Sequence, residues 1–120
     1  MPTILVVEDE ESIRRFITVN LNARHYETLQ ASTCEEGLQL IKDYMPNALI
    51  LDLKLPDMTG WDMLMQIDGD PQLIKPPVII MTAASTIAQP NEYAYAHIVQ
   101  KLAKPASVAE LLEAVAAIFR

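Results

Sequence analysis

Ala48-Leu49-Ile50-Leu51-Asp52-Leu53-Lys54-Leu55-Pro56 is the stretch whose reading decides the fold. Four apolar residues in a row end on a carboxylate, and Pro56 closes the segment. A continuous apolar run of this length suits a strand buried on both faces, whereas a half-solvated strand would alternate. An acid closing such a strand sits at the rim of a core, at the carboxyl edge of a sheet, where open α/β sheets bind ligands. The competing reading is an ordinary solvated acid in a loop, and the rest of the chain decides between the two.

Working outward, Thr3-Ile4-Leu5-Val6-Val7 is a second β-rich apolar run, and it too ends on acids, Glu8-Asp9. The spacing of Ile13, Phe16, Ile17 and Leu21 predicts an amphipathic helix over 12–23, with Arg14, Arg15 and Asn20 off the stripe. A weaker mixed strand over 26–31 has the character of a sheet edge. Ser32 or Thr33 can cap the next helix, whose stripe is Cys34, Gly37, Leu38 and Ile41, before Pro46-Asn47 breaks it. Beyond Pro56, Asp57 or Thr59 can start a third helix with Trp61, Leu64, Met65 and Ile67 inward, ending at Asp68-Gly69-Asp70-Pro71. Val78-Ile79-Ile80-Met81 is another short buried strand, closing on Thr82. Because Pro90 is disruptive inside a helix and tolerated at its start, a long loop is expected after Thr82, with a short helix beginning near Pro90. A last strand over 98–103 leads to Lys104-Pro105, and Ser107 caps a final helix with Leu111, Leu112, Val115, Ile118 and Phe119 inward. Strand and helix thus alternate five times, which argues for one α/β domain with a parallel sheet covered on both faces.

Composition bounds the function. The chain has 120 residues, 51% of them hydrophobic, with a mean hydropathy of +0.15, so it can bury a real core. No apolar run approaches the roughly 20 residues of a membrane span. Met1-Pro2-Thr3 has neither a basic n-region nor a cleavage site, so no signal peptide is expected. The single cysteine, Cys34, forms no internal disulfide and fits a cytoplasmic location. A formal net charge of -7 opposes binding to a phosphate backbone, so no direct nucleic-acid contact and no membrane contact are expected.

Parallel strands bring their carboxyl ends to one edge. That edge would gather Glu8 and Asp9, Asp52, Thr82 and Lys104. Clustered carboxylates repel unless a cation intervenes, and an oxygen-only donor set favours Mg²⁺. Lys104 adds a point charge suited to phosphate and Thr82 a hydroxyl, so the set suits a phosphoryl group, with a carboxylate able to act as nucleophile. Read singly, Glu8 and Asp9 are a solvated helix start, Thr82 a strand residue and Lys104 a surface lysine; jointly those readings need coincidences at one edge.

The sequence resembles the receiver domains of two-component response regulators over essentially its whole length, 1–120. The matching motifs are Ile4-Leu5-Val6-Val7-Glu8-Asp9-Glu10, Leu51-Asp52-Leu53 with Pro56 and Gly60, Met81-Thr82-Ala83, and Lys104-Pro105. The resemblance implies a flavodoxin-like (βα)5 three-layer α/β sandwich with strand order 2-1-3-4-5. It implies that Asp52 is the phosphoacceptor, taking a phosphoryl group from the phosphohistidine of a histidine kinase or histidine phosphotransfer protein. Asp9 and Asp52 would hold Mg²⁺, with Glu8 direct or through water and the backbone carbonyl of Lys54 completing the protein ligands. Lys104 would pair with the phosphoryl oxygens, Thr82 would swing to bond one of them, and a cis peptide would precede Pro105. Such a domain is a switch that catalyses its own phosphorylation and slow hydrolysis rather than a turnover enzyme. Its output would be a downstream protein bound at the face of the fourth helix, fifth strand and fifth helix, with a phosphorylation-dependent homodimer as a further form.

Three positions depart from the family pattern. Lys101 stands where an inward-turning Tyr or Phe is usual, Pro90 interrupts the fourth helix, and His97 replaces a frequent turn glycine. A lysine cannot fill an apolar slot without burying charge, and Tyr93 or Tyr95 is more ordinary packing than a substitute. His97 reads as a turn residue rather than a ligand. The chemistry of the pocket is therefore expected intact and the readout rearranged. The alternative function is a phosphorylation-independent interaction module. A haloacid-dehalogenase-type phosphatase is opposed by Lys54, which sits where that family needs an Asp.

Overall fold

The apolar runs Thr3–Val7 and Ala48–Leu51 lie side by side at the heart of the sheet in the computed structural model, which describes residues 1–87 and 95–120. The order is β1 (Thr3–Val7), α1 (Glu11–Ala23), β2 (Glu27–Ala31), α2 (Cys34–Tyr44), β3 (Ala48–Leu51), α3 (Gly60–Gly69), β4 (Val78–Ala83), α4 (Ala84–Ile87), β5 (Ile98–Lys104) and α5 (Val108–Ile118). All neighbouring strands are parallel, in the order β2-β1-β3-β4-β5, giving the flavodoxin-like α/β fold.

The strands read as unbroken apolar runs because both faces are covered, and alternate residues serve opposite layers. Leu5, Val7, Leu49, Leu51, Val78 and Ile80 pack with Cys34 and Ile41 of α2 and Met63, Leu64 and Ile67 of α3. Ile4, Val6, Ile50, Ile79 and Met81 pack with Ile17 and Leu21 of α1 and Leu111 and Val115 of α5. Between β1 and β3 the chain switches direction, since the loop after β1 leads outward to β2 while that after β3 leads to β4. This divergence opens a crevice at the carboxyl ends of the two central strands.

Local signals explain most boundaries. Thr33, Thr59 and Ser107 each accept an amide hydrogen bond at the start of α2, α3 and α5, and Ser107 with Glu110 completes a capping box. Thr59, not Asp57, caps α3; Asp57 is used elsewhere. The inward face of α3 is Gly60, Met63, Leu64 and Ile67, a strict i, i+3, i+4, i+7 set, while Met65 is 51% exposed, which corrects the expected stripe.

The expected loop does not begin at Thr82: among the described residues β4 runs on to Ala83 and α4 follows from Ala84 to Ile87. A proline acts on its own residue, the one before it and the carbonyl four back, and Ala84-Ser85-Thr86 itself carries no breaker. Pro90 and Tyr93 lie outside the described residues. His97 occupies a turn as expected, and its carbonyl accepts from the Val78 amide at 2.8 Å. Positive φ among described non-glycine residues falls instead at His25 (67°) and Met45 (47°), which close α1 and α2.

Candidate functional site

Register decides what meets at the crevice. Val7 pairs with Leu51, so Glu8 and Asp52 leave adjacent strands at the same height. Thr82 pairs with Ala103 and Ala83 with Lys104 on the next pair of strands. The four strand ends therefore converge, and one oxygen of each of Glu8, Asp9 and Asp52 lies within 4.8 Å of the others. Glu8, Asp52 and Thr82 are buried and Asp9 is exposed.

Asp52 is held from three directions. The Thr82 hydroxyl donates to Oδ1 at 2.8 Å, the Lys54 amide donates to the same oxygen at 3.1 Å, and the Lys104 ammonium donates to Oδ2 at 2.9 Å. Lys104 also donates to Glu8 Oε2 at 2.7 Å, so one cation bridges two carboxylates. The Glu10 amide donates to Glu8 Oε1 at 3.2 Å. The Lys104–Pro105 peptide is cis.

Burial pushes the Glu8 carboxyl up to about 7; the Lys104 hydrogen bond opposes this and the Asp52 charge adds to it. Burial acts on Asp52 in the same sense, but its bonds from Lys104, Lys54 and Thr82 outweigh it and hold that carboxyl below its ordinary value. Burial disfavours the Lys104 charge, yet the bonds to Asp52 and Glu8 prevail and its pKa is raised. Near neutral pH the site thus holds an ionised Asp52 beside a charged Lys104, with Glu8 the member that most readily takes a proton.

These groups open onto a cleft of about 240 Å³ lined by Asp9, Glu10, Asp52, Lys54, Thr82, Ala83 and Lys104. A larger depression, about 580 Å³, lies at the opposite ends of the strands against Met1, His25 and Tyr44, but among the described residues no comparable cluster of acids faces it. Chemistry, not size, picks the site. Oxygen-only donors with excess negative charge suit a hard divalent cation, and the residues present fit Mg²⁺. Small Ala83 leaves room beside the hydroxyl of Thr82.

The strand ends placed Glu8, Asp9, Asp52, Thr82 and Lys104 at one edge and the family resemblance added Lys54; the structure brings all six together. It missed Arg14, whose guanidinium donates to the Glu8 carbonyl at 2.8 Å and to Gln30 Oε1 at 3.2 Å. Helical side chains lean toward the helix amino end, so a long basic residue in the first turn after Glu8-Asp9 was a readable signal. It also missed Asp57, whose carboxylate accepts the amides of Cys34 and Glu35, each at 3.0 Å. Lys101 is exposed, with its ammonium 5.8 Å from the centroid of the Trp61 ring.

The family model described as response regulator receiver domain matches residues 4–116. The transcriptional regulatory protein KdpE of Mycobacterium tuberculosis is 39% identical over 83 residues, which are 69% of this chain and 35% of KdpE. The DNA-binding dual master transcriptional regulator RpaA of Synechocystis is 29% identical over 120 residues, all of this chain and 50% of RpaA. The chain thus spans a third to a half of these relatives. The solved structure of a CheY-like response regulator receiver domain protein from Methanospirillum hungatei is 26% identical, with a TM-score of 0.79 over 98% of this chain and 92% of that one.

Proposed function

The chain belongs to the response regulator receiver family, and from that premise we propose that it accepts a phosphoryl group on Asp52 in a two-component phosphorelay. In this reading residues 1–120 act as one receiver domain in the cytoplasm. The donor is the phosphohistidine of a histidine kinase or histidine phosphotransfer protein. An Asp52 oxygen attacks phosphorus, the P–N bond breaks, and the departing electron pair stays on the imidazole nitrogen. The aspartyl phosphate is later hydrolysed by water.

Each neighbour has a role. Glu8, Asp9, Asp52 and the Lys54 carbonyl would hold Mg²⁺, which when bound supplies positive charge to offset the carboxylates and the incoming phosphoryl oxygens. Lys104 turns from Asp52 to a phosphoryl oxygen as charge builds there. Thr82 exchanges its bond to Oδ1 for one to the phosphate, which draws the start of α4 toward the site. The altered surface is the exposed face of α4, β5 and α5, where a downstream protein or a second copy of the chain would bind.

The observation that carries this reading is the meeting of a buried, ionised Asp52 with Lys104 at 2.9 Å and Thr82 at 2.8 Å beside two further carboxylates. The test is labelling with acetyl phosphate, or with beryllofluoride as a mimic, followed by intact mass and Trp61 fluorescence. One adduct is expected in the presence of Mg²⁺ and none on Asp52→Asn. An adduct of equal yield on Asp52→Asn, or none on the wild type, sinks the proposal.

A second reading, a phosphorylation-independent interaction module, draws on Lys101, which lies on Trp61 rather than in an apolar slot. Wild type and Asp52→Asn binding a partner with equal affinity, with and without beryllofluoride, would favour it.

A further inference from the structure

The turn that follows Asp52 is exposed at Lys54, Pro56, Asp57 and Thr59, while Leu53, Leu55 and Met58 point into the core. It closes on itself through the Gly60 amide, which donates to the Leu53 carbonyl at 2.8 Å, and through an antiparallel bridge between Lys54 and Thr59. Neither contact fixes the turn against the rest of the molecule. α2 does offer a fixed reference, because Cys34, Gly37 and Ile41 are buried against the sheet and α3.

The amides at the start of α2 are divided between two acceptors. Its own cap, Thr33, takes the Glu36 amide at 3.1 Å. The two preceding amides go to the two oxygens of Asp57, from across the molecule. A carboxylate at this helix end is favoured by the amide dipoles, and although burial opposes it, the amide bonds keep Asp57 readily ionised. The Cys34 thiol makes a second contact with the same turn, 3.8 Å from the carbonyl oxygens of Met58 and Thr59.

We infer that Asp57 is a positioning residue for the acceptor site: by receiving the Cys34 and Glu35 amides it ties the turn to α2 and holds Lys54 in register beside Asp52. The consequence is direct, because the Lys54 amide bonds the acceptor carboxylate itself. The inference rests on the proposed function, in which the Lys54 carbonyl is a metal ligand. Groups that support a metal ligand from behind commonly matter nearly as much as the ligand.

The test compares Asp57→Ala and Asp57→Asn with Thr33→Ala, which damages the same helix end without touching the turn. Two readouts apply: Mg²⁺ titration followed by Trp61 fluorescence, and amide exchange of Lys54 and Gly60 in Mg²⁺-free protein. Asp57→Ala is expected to weaken Mg²⁺ binding about tenfold and to speed exchange at both amides by a similar factor. Asp57→Asn, with one acceptor oxygen instead of two, falls between, and it serves alone if the alanine variant does not fold. Thr33→Ala leaves both readouts within about twofold of the wild type. The inference is overturned if Asp57 variants match the wild type in both readouts, or if Thr33→Ala loses as much as Asp57→Ala. Failure of the wild type to bind Mg²⁺ would instead count against the proposed function, and the exchange readout would still decide whether Asp57 holds the turn.

Discussion

Glu8 is the residue whose chemistry depends most on its surroundings. It sits 2% exposed, shares Lys104 with Asp52, and titrates near 7 rather than at its ordinary 4.5. The sign of the linkage follows. A carboxyl raised in the folded state binds more protons folded than unfolded, so its stabilising contribution is fully present below 4.5 and is lost as pH rises through about 7. In metal-free protein the unfolding free energy is therefore expected to fall across that window, by up to about 3 kcal/mol from this group. Glu8→Gln should flatten the slope, as read from urea titrations with chelator present at about pH 5 and about pH 7.5. An unchanged slope would mean that burial is not what raises Glu8. Its presence at the site was legible from the two acids after β1, but its raised pKa was not, since that depends on the depth of the crevice and on the Asp52 charge, which together outweigh the Lys104 bond.

At the scale of elements, glycines mark where backbones must approach. A Cβ on Gly60 would stand 2.8 Å from the Asp52 carbonyl oxygen and 2.9 Å from Leu53 Cα, both backbone atoms. Gly60→Ala should therefore cost about 2–3 kcal/mol and disturb the strand end that carries Asp52, with little room to relax. On Gly37 the close atoms are Met63 Cε and Val7 Cγ2, each at 2.9 Å, and the methionine end can move. The helix preference of Ala over Gly, about 1 kcal/mol, offsets the remaining strain at Gly37. Chemical denaturation of the two variants should rank Gly60→Ala clearly below Gly37→Ala; the reverse order would contradict the packing. Lys101 on β5 and Trp61 on α3 form the other telling contact between elements. Lys101→Ala should cost about 0.5 kcal/mol and raise acrylamide quenching of Trp61, because the ammonium stands over one ring face. No change in quenching would show that the stack does not persist in solution. The sequence excluded Lys101 from an apolar slot on charge grounds, yet nothing local named Trp61 as the place it rests.

Across the whole molecule, three carboxylates gathered at one crevice repel one another, and a cation bound there would offset that repulsion. Mg²⁺ that binds only the folded chain should stabilise it by about 2.7 kcal/mol at a hundred times its dissociation constant, raising the urea midpoint at constant slope. Asp9→Asn should reduce that shift, and a midpoint indifferent to Mg²⁺ would remove the metal from the proposed mechanism. Much of the architecture was legible beforehand because its signals are local. Runs such as Ala48-Leu49-Ile50-Leu51 declare a strand buried on both faces, Thr33 and Ser107 cap their helices by contacts within one turn, and alternation of the two kinds of element leaves a parallel sheet as the compact solution. Local signals failed where two periodicities competed, as between Met63 and Met65 on α3, and where Pro90 was given influence over residues before its own turn. By itself, then, the sequence determined the strands, their order of appearance and the acids, hydroxyl and lysine that end them, because each is written in a few neighbouring residues. Only the tertiary structure decided which oxygen each group faces, that Lys104 bridges Glu8 and Asp52, and that Asp57 reaches α2. Those partners stand 96, 52 and 23 residues apart along the chain, and no local pattern encodes a meeting made by the crossing of strands.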